Sequence, residues 1–291
     1  MNNNYENIEE IFTEMLKYSV DEAFKYCDEG FEETKNPEYL LYKGHAHLVS
    51  GEYEEAIIYV DKAFELGCDY KVLGYNVKGE ALLELGLYIE SRKNYEKVIE
   101  ICPENYIATI FQVELDIREE FYEDAINRAE LYIKRYGEDK LEVADLKSAI
   151  AWTYMVDLND PHKGFEYFKE AVELNNACSR AYTGMGIYYN HIKEYEKAIK
   201  CFIKGIEYAP EDGENYFGLA VCYKELKMYD EIEKNLIMAN ALLPEDNRIL
   251  YEFAFELLRQ EKQEEAIEMF KEILLYNPDD EEVISLINSL D

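Results

Sequence analysis

The sequence predicts an all-α solenoid of eight helix-turn-helix hairpins. Three observations carry this reading. A small residue recurs at near-constant spacing along the 291 residues, only 14 Gly and 6 Pro interrupt the chain, and 48% of the residues are apolar. Few breakers suit long helices joined by short turns, and that apolar content supports a substantial core.

The repeat is visible first in four phrases: Gly51-Glu52-Tyr53-Glu54-Glu55-Ala56-Ile57, Phe121-Tyr122-Glu123-Asp124-Ala125-Ile126, Glu194-Tyr195-Glu196-Lys197-Ala198-Ile199 and Gln263-Glu264-Glu265-Ala266-Ile267. Aligned on their small residue they open a column of Ala23, Ala56, Ser91, Ala125, Gly164, Ala198, Ile232 and Ala266, with spacings of 33, 35, 34, 39, 34, 34 and 34. One helical turn on stand Cys27, Val60, Tyr95, Ala129, Phe168, Phe202, Leu236 and Phe270. Twelve residues before the first column lie Gly44, Gly79, Gly186, Ala220 and Ala254. Small residues let two helices approach closely, so Gly186 and Ala198 are expected to face each other across one hairpin. Pro103, Pro210, Pro244 and Pro278 cannot continue a helix, and the acidic residues that follow them suit turns and caps.

The hairpins are expected at 4–36, 37–70, 72–105, 106–139, 145–178, 179–212, 213–246 and 247–280, with a capping helix at 281–290. The first is degenerate, as terminal repeats often are. Five extra residues fall near Gly137-Glu138-Asp139-Lys140-Leu141, and Trp152, the only Trp, occupies the glycine column. A bulky ring there should push two helices apart or turn one. Two readings stand: a pitch break or hinge at 137–145, or a plain helix extension over 141–145.

These columns resemble the tetratricopeptide repeat, whose pattern of about 34 residues runs W-x2-L-G-x2-Y, A-x3-F, then P. The best match is Tyr182, Met185, Gly186, Tyr189, Ala198, Phe202 and Pro210. The resemblance implies a right-handed superhelix whose first helices line a concave groove that binds proteins or peptides. In the N-terminal half it places Leu41, His45, Leu48, Asn76, Glu80, Glu84, Ile110, Glu114 and Ile117 in that groove. In the C-terminal half it places Arg180, Thr183, Ile187, Asn190, His191, Phe217, Val221, Lys224, Arg248, Tyr251, Phe255 and Arg259 there. The last group is the candidate partner-binding site, with four bases beside aromatics. The alternative is that these bases balance nearby acids, for example Arg248 with Glu252 one turn on. A chaperone-carboxylate clamp of the family needs Lys and Asn at set groove positions; this chain has Leu41, His45, Asn76 and Glu80 there, with the lysines missing, so that branch is not expected.

Chemistry elsewhere is sparse. The net charge of −33 is spread evenly, −18 over 1–150 (34 acids, 16 bases) and −15 over 151–291 (29 acids, 14 bases). Such a field repels phosphate backbones and anionic membranes, so neither nucleic acid nor a membrane is an expected partner. His45 and His47 point in different directions on a helix, and no phosphate loop, HExxH pattern or nucleophile elbow occurs, so neither catalysis, metal nor cofactor is expected. No basic DNA-reading segment lies before residue 37. Met1 to Glu6 read as no signal peptide, and no run spans a bilayer, so the expected location is cytoplasmic. The leading function is a non-catalytic adaptor or scaffold. The alternatives are a self-associating homo-oligomer and a peptide-responsive regulator acting on a protein target.

The six cysteines, Cys27, Cys68, Cys102, Cys178, Cys201 and Cys222, form no CxxC pair. Thiol titration of the unoxidised protein under denaturing, non-reducing conditions is expected to report all six; a reproducible deficit of two would reveal a disulfide.

Overall fold

The computed structural model describes residues 8–290. The reading of Met1 to Glu6 as carrying no targeting segment lies outside them, as do the first residues of the hairpin at 4–36. Within the described residues the chain forms seventeen α-helices and no strand. It is an all-α helical repeat solenoid, and it divides into two compact units, residues up to Gly137 and from Glu138 onward.

The first unit contains four hairpins: α1 (Ile8–Tyr18) with α2 (Val20–Thr34), α3 (Glu38–Val49) with α4 (Tyr53–Glu65), α5 (Lys71–Glu84) with α6 (Tyr88–Ile101), and α7 (Tyr106–Arg118) with α8 (Tyr122–Tyr136). The second contains α9 (Lys140–Trp152) with α10 (Pro161–Leu174), α11 (Ser179–His191) with α12 (Tyr195–Tyr208), α13 (Gly213–Glu225) with α14 (Tyr229–Leu242), α15 (Asn247–Arg259) with α16 (Gln263–Tyr276), and α17 (Glu281–Leu290). Residues 141–145 lie in the opening turns of α9, which Asp139 caps by accepting from the Leu141 amide at 2.7 Å.

Seven of the eight hairpins turn on one left-handed residue at the same place in the repeat, whereas the first turns through Ser19 in an extended conformation. The series is Gly51, Gly86, Glu120, Asn159, Lys193, Lys227 and Glu261, with φ between 51° and 75°. The amide after it bonds back five residues, as in Glu194 N to Tyr189 O at 2.8 Å and Met228 N to Tyr223 O at 2.9 Å. This closes the preceding helix in the Schellman manner. Asp212, Asp246 and Asp280 then cap α13, α15 and α17, which is the turn chemistry expected after each proline.

The glycine column works through the aromatic column. A Cβ added at Gly186 would stand 2.6 Å from the Phe202 ring, and one at Gly218 would stand 2.4 Å from the same ring. Phe202 therefore fills a slot between its own hairpin and the next, and the close neighbour of Gly186 is this ring. Tyr95 does the same under Gly79, at 2.7 Å. The small column closes onto the partner backbone: Ser91 Oγ donates to Gly79 O at 2.6 Å.

Trp152 makes a local change. After it the chain winds into a π-helical turn, Thr153–Asp157, and Asp160 N bonds six residues back to Tyr154 O at 2.7 Å. Gly164 faces this turn, where an added Cβ would meet Ala151 O at 2.6 Å. The indole sits edge-on to Phe168, with ring centroids 5.4 Å apart.

Ala198 and Ala23 are both fully buried. The degenerate first hairpin thus packs its small residue as tightly as an internal one. Ala198→Leu and Ala23→Leu are each expected to destabilise by about 1–3 kcal/mol through overpacking. Denaturant melts of the two variants check this; a negligible effect at Ala23 would show that its surroundings yield.

Candidate functional site

In the second unit, α11, α13 and α15 carry the twelve residues singled out from sequence. Five of them, Arg180, Thr183, Ile187, His191 and Arg248, line one cleft of about 590 Å³. Its other walls come from the π-turn region and the start of α10: Trp152, Met155, Val156, Asn159 and Pro161. Tyr188 closes the apolar side, and Asp212 and Glu214 the polar end. The volume suits a small ligand or a few side chains of a peptide.

The remaining seven do not join this cleft. Lys224, Phe255 and Arg259 border a separate hollow of about 270 Å³ with Tyr229, Glu252 and Glu256. Phe217 lies beneath Arg248, whose guanidinium carbon is 5.4 Å from the ring centre. Tyr251 donates its hydroxyl to Asp280 at 3.1 Å and so ties α15 to the cap of α17. Asn190 accepts from Cys222 Sγ at 3.7 Å, and Val221 is half-buried on α13.

Three of the four bases are already paired. Lys224 holds Glu252 at 2.6 Å, and Arg259 holds Glu256 at 2.6 Å while lying 4.1 Å above the Tyr229 ring. Arg248 is fixed by Asp246, the cap of its own helix, and by Glu214 on α13. The pairing expected between Arg248 and Glu252 is replaced by these contacts across neighbouring hairpins. Asp246 holds the Arg248 guanidinium above its ordinary pKa, and Arg248 in turn holds the Asp246 carboxyl below its own.

Arg180 differs. It is exposed at the cleft and has neither ion pair nor hydrogen bond among the described residues. The Trp152 Nε1 is buried and has no acceptor. Thr183 is occupied: its hydroxyl lies 2.9 Å from Asn215 Oδ1 and 3.2 Å from Ser179 O, joining α11 to α13. The cleft therefore offers apolar walls and one guanidinium without a partner among the described residues, while the unsatisfied indole N–H is buried. Sequence reasoning missed the walls at Met155, Val156 and Pro161, because they become neighbours of α11 only through the π-turn. Trp152 in a glycine column was the visible sign of it.

Comparison with known proteins agrees with the architecture. The family profile described as Tetratricopeptide repeat matches residues 74–105 and 179–212. No curated protein matches the sequence significantly. Among solved structures, a chain of the APC/C hetero-tetramer Cut9–Hcn1 aligns with TM-score 0.68 and 16% identity, covering 93% of this chain. This chain spans only 52% of that one. PilF of Pseudomonas aeruginosa aligns with TM-score 0.60 and 15% identity, over 79% of this chain and 98% of its own. A tetratricopeptide repeat protein from Parabacteroides merdae ATCC 43184 aligns with TM-score 0.60 and 16% identity, over 88% and 99%. At these identities the likeness is one of fold.

The Arg248–Asp246 pair has a pH consequence. A carboxyl held below its unfolded pKa contributes stability at neutral pH, and that contribution is lost as pH falls through the folded value. In Arg248→Ala the Asp246 carboxyl is expected to titrate higher than in the wild type, and the variant to lose stability at less acidic pH. Carboxyl NMR titration with acid melts checks both; an unmoved Asp246 would mean the pair is not formed in solution.

Proposed function

Because the chain is a tetratricopeptide-repeat protein, we propose that it acts as a non-catalytic adaptor that binds a protein or peptide segment in the cleft of its second unit. One observation carries this reading: Arg180 stands unpaired over an apolar cleft, in a chain with 30 bases against 63 acids. Its place at the cleft, with no acid paired to it, leaves its charge available to a ligand. The ligand it fits is a segment with an apolar side chain seated near Trp152, Met155 and Ile187 and an acidic group reaching Arg180. A desolvated charge-assisted bond there would contribute about 1.5–3 kcal/mol, and an exposed one far less.

The groove residues outside the cleft take lesser parts. Lys224 and Arg248 link α13 to α15 through ion pairs, whereas Arg259 pairs with Glu256 on its own helix. Phe255 is exposed and extends the apolar surface along α15. A cytoplasmic setting fits the six unpaired thiols, whose burial pushes Cys27 and Cys222 up to about 12. No helix among the described residues is long and apolar enough to cross a membrane.

Trp152 is the only tryptophan, so its emission reports on this cleft alone. A library of blocked peptides pairing an apolar residue with Glu is expected to contain members that shift that emission saturably. Arg180→Glu should abolish the shift with the melting temperature unchanged, because Arg180 supports nothing internal. Lys replacements of Glu in the active peptides should fail as well. If Lys peptides shift the emission equally, or if Arg180→Glu binds normally, the cleft is not an acidic-segment site. A size measurement at several concentrations tests the rival reading of self-association.

A further inference from the structure

The inward positions of the first unit carry the opposite charge. Asn76, Glu80 and Glu84 follow at successive turns of α5, and Glu114 and Arg118 stand one turn apart on α7. Arg118 holds Glu114 at 2.6 Å and lies 4.0 Å from Glu84. Glu80 has no cation beside it among the described residues. Its carboxyl is pushed above the ordinary range, by burial first and then by Glu84 and Glu114.

Carboxylates alone would be a solvated face, but two buried polar atoms accompany them. Asn76 is 8% exposed and its Oδ1 has no hydrogen-bond partner; Tyr95 is fully buried and its hydroxyl has none. The Tyr95 ring reaches from α6 through the gap under Gly79, where an added Cβ would stand 2.7 Å from its Cζ. It then stacks on Phe111 of α7 at 5.4 Å. Its oxygen-bearing end thus lies between α5 and α7, where the charges of Glu80, Glu114 and Glu84 all act on the phenol. The same column holds plain phenylalanine at Phe168, Phe202 and Phe270, so packing does not require the hydroxyl. A buried polar group without a partner destabilises a fold, and its retention calls for a ligand.

We propose that Glu80, Asn76 Oδ1 and the Tyr95 hydroxyl form a binding site for one lysyl ammonium of a protein partner, separate from the cleft of the second unit. An ammonium has three donors and no acceptor, and the site presents three acceptors. Lysine suits it better than arginine, because its compact point charge needs no planar fork of acceptors. Half-buried Ile110, one turn before Glu114, offers apolar surface to the aliphatic stem. Among the described residues no three His, Cys, Asp or Glu are grouped to hold a metal ion. The negative field of the whole chain draws a basic segment toward the site.

The test uses the full chain and a blocked heptapeptide with one central lysine among alanines. Binding is followed by the Glu80 side-chain carboxyl resonance in NMR. The expected result is a saturable shift that the norleucine version of the peptide does not produce. Affinity, followed by backbone amide shifts on α5 and α7, should fall about tenfold or more in Glu80→Gln, as for loss of a charge-assisted bond. It should be unchanged in Glu96→Gln, which removes the same charge from an exposed position. Tyr95→Phe should weaken binding about threefold while the melting temperature holds or rises, because an unsatisfied hydroxyl is removed. Equal affinities for Glu80→Gln and Glu96→Gln would overturn the site. So would a lowered melting temperature with unchanged binding in Tyr95→Phe, since the hydroxyl would then serve the fold. Spermidine binding as tightly as the peptide would overturn the assignment to a lysyl side chain.

Discussion

The packing of several hairpins depends on a ring seated in a glycine gap. Phe202 lies against Gly186 of its own hairpin and Gly218 of the next, and Phe168 meets Gly184 in the same way. One side chain thus closes a hairpin and docks its successor. Backbone close approach and aromatic burial are the same contact, so neither can be altered alone. Where the ring is a tyrosine, as at Tyr95, its polar tip is carried through the gap between α5 and α7.

The scarcity of bases shapes the rest. Several of them stitch helices together, and others pair within a single helix. Arg92 and Arg128 both hold Asp116, which is only 3% exposed, so one buried carboxylate joins α6, α7 and α8. Lys78 reaches Asp61 on α4, and Lys262 reaches Glu233 on α14. A buried pair of this kind is weak evidence of net stability, but losing one partner strands a charge. Of the seven arginines, Arg135 and Arg180 have no acid beside them among the described residues, and Arg180 is the one that lines the cleft.

The periodicity of small and aromatic residues made the helices legible, because both columns are dictated by contacts within a hairpin or with the next one. Proline followed by an acid marked the caps of α13, α15 and α17 for the same reason. The candidate site was only half legible. Position on the first helices grouped Arg180, Ile187 and His191, and the three line one cleft. It could not show that Arg248 would reach Glu214, 34 residues away, instead of Glu252 one turn on. Which acid a long base meets depends on how neighbouring hairpins stack, and a single-helix wheel does not contain that. The π-turn was equally hidden: Trp152 announced a misfit, but the rewinding that absorbs it is a property of the backbone.

That rewinding uses no additional residue. Asn159 stands seven residues after Trp152, as Lys193 does after Gly186, so the wider winding replaces an ordinary turn of the same length. The hollow beside it is consequently an inherited shape of the main chain, with side chains only painting its surface. Drift at Met155, Val156 or Ile187 can change what the hollow prefers without filling it, whereas a glycine at Trp152 would remove the ring the winding accommodates. Shape and lining chemistry are therefore free to evolve at different rates, and descendants of one such chain could keep the hollow while its surface changes.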